Sequence, residues 1–514
     1  MAGLRVLAML PTHNEDRADY LVKMLSTAKR RWGWRIDFFC SKEDRKAFRE
    51  VAAPSGKLLT FPDLLQAGAW ESDPEQVADA ERRLAAAENA TQVTAGQLVL
   101  ASQATIGCAF VAPVHRLAAT ETIARVLADN TEASRIIRRL FRFADDLVEE
   151  NAPDLLLAYE WEKPWRSTVW MACASRGIPC VAIRRSKLNA DHYFWTTDRV
   201  LFNSAAREAA VASRKAQTPL SEGATDYLRK FREEPKTVKY VKAKWDLQKQ
   251  KTWLAWHIQF VRSAAEYFRK KATGRAQRPK RLLQKLIEYN VRTFQFGKQQ
   301  RRFRSFEENE LQAMRYVYFP MHKETDLPLV FQAPGWHGQH NTVRLLAGLL
   351  PSGYRLLVRE HRLNVGRRPA GYYRSLQQLP NVVLVDPFGS QFRYIQNADL
   401  IVTENGTSGW EGLVMGRRVL TLSRTSYDGA GLAIRLDDPD QLGAAMLKVL
   451  REPQLDPVTR DRYLGSMIDA ERATTFPMAE EGIPAGLDQL ARLMGGALLR
   501  RASTRGAEMP RVAS

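Results

Sequence analysis

Short apolar runs separated by helical patterns recur along the chain and predict two α/β lobes. Residues 4–10 (LRVLAML) and 34–39 (WRIDFF) flank a stretch in which Leu21, Met24 and Leu25 share one helical side, the pattern of a β-α-β opening. LLLAYE at 155–160 reads as a further strand. A helix carrying Trp170, Met171 and Cys173 follows, Gly177 stops it, and Pro179 to Ile183 begins a new strand. This order predicts a doubly wound N-terminal lobe over residues 1–205, with 75–150 mainly helical.

Residues 206–312 show no strand pattern and read as a helical insert, in which Trp253, Trp256 and Phe260 recur at i, i+3 and i+7. Strands resume at 315–320 (RYVYFP), near 329 (LVFQAP), and at 354–360, 381–386, 398–404 and 418–422. Helical stretches at 341–350, 371–379, 389–397 and 409–416 alternate with them, which predicts a second Rossmann-like lobe over 313–496. Residues 497–514 read as a flexible tail.

Composition adds one asymmetry to this picture. A hydrophobic content of 45% and a charged content of 26% over 514 residues are those of a folded protein, but the net charge is +20. Between Asp226 and Arg304 stand 23 Lys and Arg against 6 Asp and Glu, so the insert carries most of that charge. Trp253, Trp256 and Phe260 among those lysines and arginines describe an interfacial helix, each basic residue worth about 1 kcal/mol against anionic lipid. No nucleic-acid module accompanies the charge, and nucleic acid is not expected as a partner. The opening residues read as a strand and not as a signal peptide, and no apolar run approaches the roughly 20 residues a membrane span needs. Cys40, Cys108, Cys173 and Cys180 lack metal-ligand spacing and read as buried thiols of a reducing cytoplasm, with the protein at most peripheral on the membrane.

The strongest chemical signal lies at 403–419, TENGTSGWEGLVMGRRV. A strand ends at Thr403, a turn follows, and a helix starts near Ser408. Backbone N–H groups of Gly406, Thr407, Ser408 and Gly409 then converge where the positive helix end favours a phosphate. Glu411, one turn on, can accept from both hydroxyls of a ribose. Arg359, Glu360 and His361 follow an apolar strand, where side chains reach the ligand-binding edge of an open sheet, and His361 can donate to a phosphate or act as an acid. His322, Glu324 and Asp326 follow another strand, close enough in sequence to tune one another. In the first lobe, Asp16 and Glu160 come after strands and can supply the carboxylate that deprotonates an acceptor hydroxyl. The candidate catalytic groups are therefore His322, Glu324, Glu360, Glu160 and Asp16, with no metal ligand set.

The stretches GIPCVAIRRSKL with HYFW (177–195), YVYFPMHKETD (316–326), LPSGYRLLVREHR (350–362), LPNVVLVDPFGS (379–390) and 403–419 resemble, in this order, the capsule polysaccharide biosynthesis family, which includes bacterial Kdo transferases. The resemblance implies a GT-B architecture of two Rossmann-like lobes facing a central cleft. It implies a nucleotide-sugar donor as substrate, CMP-linked or UDP-linked, and a surface polysaccharide or lipid-linked acceptor. In such proteins the strand resembling LLVREH continues His-Pro, and that histidine is expected on the donor phosphate; here Arg362 replaces the proline. The expected activity is metal-independent glycosyl transfer without a cofactor. A nucleotide-sugar 2-epimerase and a non-catalytic polysaccharide-assembly protein are the alternatives.

Overall fold

The computed structural model describes residues 3–11, 15–40, 48, 57–60, 69–99, 130–161, 164–189, 191–235, 258, 261–262, 265, 294–323, 327–336 and 338–507. Trp253, Trp256, Phe260, Glu324, Asp326 and Cys108 lie outside them. Thirteen strands are present among the described residues: β1 Arg5–Met9, β2 Arg35–Cys40, β3 Leu58–Thr60, β4 Leu155–Ala158, β5 Cys180–Arg185, β6 His192–Thr196, β7 Tyr316–Pro320, β8 Arg355–Arg359, β9 Val382–Val385, β10 Leu400–Thr403, β11 Arg418–Thr421, β12 Ile434–Arg435 and β13 Phe476–Pro477.

They form two sheets in two compact units. The first sheet has the order β13-β6-β5-β4-β1-β2-β3, parallel except where β6 pairs with β5 and β13 with β6. Its strands are near-continuous apolar runs because helices cover both faces. Val6, Ala8, Leu155 and Leu157 share a core with Leu21, Met24 and Leu25 of the Glu15–Trp32 helix. Each Val, Leu or Met side chain among them contributes roughly 1.5–3 kcal/mol on burial.

The second sheet, β12-β11-β10-β7-β8-β9, is entirely parallel. From β7 the chain winds outward through β8 and β9, then returns to the other side of β7 for β10, β11 and β12. This is the doubly wound Rossmann order, with its reversal between β7 and β10. Val317, Phe319, Leu356, Val358, Leu400 and Val402 pack against Leu346, Leu376 and Met446 from the covering helices.

Four sequence expectations change. The strand expected near 329 is the helix Leu327–Gln332. Pro328 sits in its first turn, where a missing N–H is harmless, and Leu329 and Ala333, four apart, both enter the core. The chain after Asp469 belongs to the first unit, not to a second lobe running to 496. Leu487, Leu490 and Met494 form an apolar stripe buried in the first core, and Trp195 fixes this helix by donating Nε1 to Gly486 O at 3.0 Å. The tail expected to be flexible from 497 continues as helix to Ala507. Finally, the described ends of the 206–312 segment are built into the second unit. Arg232 donates to Val414 O at 2.8 Å and pairs with Asp461, while Arg304 exchanges backbone hydrogen bonds with Leu384 and Asp386.

Candidate functional site

In an open parallel sheet the strand neighbours that part company leave a crevice at their carboxyl ends. In the second unit those neighbours are β7 and β10, and the residues just beyond them are His322 and Glu404. His322 Nε2 lies 3.2 Å from Glu404 Oε2. Glu404 is fully buried and His322 partly so. The His322 backbone is clamped by buried Gln339, which accepts from His322 N–H and donates Nε2 to His322 O at 3.0 Å. Asn364 donates to the same carbonyl at 3.2 Å.

The helix Thr407–Val414 begins beside this pair. Gly406 is its N-cap in extended conformation, and among the described residues no side chain caps the helix. Gly406 N–H is taken by Thr403 Oγ1 and Gly409 N–H donates to Gly406 O at 3.2 Å, so the first-turn donors open to a ligand or water are those of Thr407 and Ser408. The helix start is held from three directions: Gly406 N donates to Thr403 Oγ1 at 3.1 Å, Tyr427 Oη donates to Gly406 O at 3.0 Å, and the His322 ring packs against the Gly406 Cα. Gly409 must be glycine, because a Cβ there would fall 2.0 Å from Tyr427 Oη. Gly416, at φ +77°, turns the chain from the helix into β11.

Glu411 is buried in the same helix, and Gln391 donates to its Oε2 at 2.7 Å. Burial pushes its pKa up to about 8, with the Arg359 guanidinium opposing the shift. Arg359 itself donates to the carbonyls of Pro387 (2.8 Å) and Gly389 (3.0 Å), and Arg362 donates to Pro387 O at 2.6 Å and Gly389 O at 2.9 Å. The two arginines together pin the loop after β9.

His361 accepts the Leu363 N–H at Nδ1, 3.2 Å, which leaves the proton on Nε2. Burial, then the charges of Lys323, His322, Arg359 and Arg368, hold its pKa down at about 3. At neutral pH it is a neutral donor, suited to a phosphate oxygen.

Glu360 is placed differently from the expectation of a catalytic carboxylate. It is ion-paired with fully buried Arg368 at 2.7 Å and accepts from Tyr373 Oη (2.9 Å), Asn364 Nδ2 (2.9 Å) and the His361 N–H (2.7 Å). With both oxygens engaged, it orders the His361 loop and, through Asn364, the His322 carbonyl. In the first unit Glu160 lies between Arg166 (3.3 Å) and Arg184 (2.5 Å), and Arg166 also donates to Leu10 O at the end of β1. Asp16 is exposed in the first turn of its helix.

The second unit thus brings together His322, Arg359, His361, Gly406, Thr407, Ser408, Gly409 and Glu411 around one strand edge. Glu404, Gln339, Asn364 and Tyr427 complete it and were not singled out from sequence. For Glu404 the signal was its place as the first polar residue after a strand. Among the described residues no group of three or more His, Cys, Asp or Glu is placed to hold a metal, and no helix is long and apolar enough to cross a membrane.

The second unit is a doubly wound α/β unit with an uncapped helix start at its switch point. Over residues 224–444 the chain matches the model of the capsule polysaccharide biosynthesis protein family. Similar solved structures include the β-Kdo 2,7-transferase of Thermosulfurimonas dismutans KpsC, 12% identical over 63% of this chain and 80% of that one, with a TM-score of 0.31. The calicheamicin glycosyltransferase CalG4 is 12% identical over 96% and 99%, TM-score 0.27. A UDP-GlcNAc 2-epimerase from Neisseria meningitidis is 11% identical over 95% and 100%, TM-score 0.24. No curated protein sequence matches the chain.

Proposed function

We propose that the protein is a glycosyltransferase that takes a sugar from a nucleotide-sugar donor and places it on a polysaccharide or lipid-linked acceptor of the cell surface. The observation that carries this reading is the uncapped start of the Thr407–Val414 helix at the β7/β10 switch point. There the backbone donors of Thr407 and Ser408 take the donor phosphate, His361 adds a neutral N–H, and Glu411 turns from Gln391 to the ribose hydroxyls. The sugar–phosphate bond breaks with its electron pair going to phosphate oxygen, and these donors stabilise that charge without a metal or cofactor. The acceptor hydroxyl forms the new bond and gives up its proton to a carboxylate. The basic 226–304 segment draws the enzyme to anionic lipid, and replacing its lysines and arginines between 236 and 293 by glutamine, which leaves Arg232 and Arg304 in place, is expected to release the protein from anionic vesicles.

The test is incubation with CMP-linked and UDP-linked sugars, with and without glycan acceptors. Nucleotide release that requires acceptor supports transfer. Sugar interconversion without acceptor means epimerisation, and binding without turnover means an assembly role; either overturns the reading.

A further inference from the structure

A fully buried carboxylate, Glu404, stands two residues before the N-cap of the helix assigned to the donor phosphate. Left alone, its negative charge would repel the anion that the helix start attracts, because little water intervenes to screen it. Among the described residues His322 meets it, 3.2 Å away and packed on Gly406. We infer that the His322–Glu404 pair holds one proton whenever the site holds a phosphate, so that donor binding is linked to proton uptake and Glu404 is a positioning residue acting through His322. Whether the proton rests on the imidazole or the carboxylate, the pair is then neutral overall. Without it, Glu404 adds a net negative charge beside the phosphate. This rests on the donor-site reading above and adds its regulation by pH.

Among the described residues, Lys323, Arg359 and Arg368 act together with His322 on His361, which remains neutral, Arg368 is paired with Glu360, and Arg359 acts on Glu411. The arginines keep their charge throughout. Glu411 titrates near pH 8, so it contributes to any measured profile, but it is present equally in proteins that differ only at residue 404.

The experiment is calorimetric titration of the full chain with CMP, UDP and inorganic phosphate between pH 7.5 and 9.5, where a phosphate monoester, with its second pKa near about 6, is already a dianion. Wild-type affinity should fall toward tenfold per pH unit over part of this range. Glu404→Gln should flatten that fall and bind CMP more tightly than wild type at pH 9.5, an increase that structural damage does not produce. Glu404→Asp should restore the dependence, and His322→Gln should bind weakly across the whole range. Equal pH dependence in wild type and Glu404→Gln overturns the inference. If none of the three probes binds the wild type, the donor-site reading fails, and the pair is judged by the NMR titration of His322, assigned by its loss in His322→Gln. A midpoint lowered by a pH unit or more in Glu404→Gln supports the shared proton, and an unchanged midpoint overturns it. Should Glu404→Gln fail to fold, the flat, weak profile of His322→Gln is required in its place, and a wild-type profile in that variant overturns the inference.

Discussion

Gln391 donates its side-chain amide to Glu411 at 2.7 Å, in a part of the second unit where Glu411 is only 4% exposed. That contact keeps the carboxyl in place before any ligand arrives, yet it satisfies only one of the two oxygens a ribose would use. Replacing Glu411 by Ala is expected to weaken nucleotide binding by about 1–3 kcal/mol, because the ribose hydroxyls lose a buried hydrogen-bonding partner. Calorimetry with CMP and UDP checks it, and an unchanged affinity removes the ribose role.

The same residue sets a pH dependence of stability. Its carboxyl goes from an ordinary value of 4.5 unfolded to about 8 folded, so between those values the native state binds more protons than the unfolded one. Stability therefore falls as pH rises through this window, by roughly 1.4 kcal/mol per unit. Glu411→Gln should raise the unfolding midpoint at pH 9 and leave it nearly unchanged at pH 4. Denaturant titrations at the two pH values decide this.

The strands were legible because their apolar runs are short, continuous and bounded by turns, and β8, β9, β10 and β11 fall within two residues of where the pattern puts them at either end. The helix at Leu327–Gln332 was not, because four apolar residues around a proline carry no period long enough to separate helix from strand. The docking of Leu487, Leu490 and Met494 on the first core was equally hidden: an amphipathic stripe states that a face is buried, not against which sheet. At the site, the Gly-rich turn and Glu411 could be read from a strand-to-helix junction. What separates Glu360 from Glu404 could not. Both are first polar residues after a strand, and only the fold reveals that one faces Arg368 and the other His322.

Glu360 and Arg368 are both inaccessible and share a 2.7 Å contact. Removing one partner of such a pair leaves a buried charge without compensation, which destabilises by about 3–5 kcal/mol. Glu360→Gln is thus expected to lower the urea midpoint markedly. A fully stable Glu360→Gln protein that has lost only turnover would restore Glu360 to the list of catalytic groups.

Tyr427 holds the start of the Thr407–Val414 helix through Gly406 O, and its hydroxyl occupies the space a side chain at 409 would need. Tyr427→Phe should lower stability by roughly 1 kcal/mol, the net worth of one hydrogen bond, with a modest loss of nucleotide affinity. Gly409→Ala should be more damaging, and adding Tyr427→Phe should recover part of the loss because the clashing oxygen is gone. Strict additivity in that double-mutant cycle would show that the two positions do not press on each other.

Glu471 lies in the first unit, where Ser186 donates to one carboxylate oxygen at 2.6 Å and Asn203 to the other at 3.1 Å. Burial drives its pKa up to about 7, against the pull of those two donors. The sign is the same as for Glu411: relative to an unfolded value of 4.5, the native state keeps the proton longer, and stability declines as pH rises from 4.5 to about 7. Over that interval the loss is on the order of 3 kcal/mol. Glu471→Gln keeps the volume and removes the titration, so its unfolding midpoint should exceed wild type at pH 8 and converge with it below pH 5. Glu471 is not among the residues assigned to the nucleotide, so nucleotide affinity at pH 7 should stay within about twofold of wild type. A variant that weakens nucleotide binding strongly while leaving stability untouched would show that Ser186, Asn203 and Glu471 serve the ligand and not the fold.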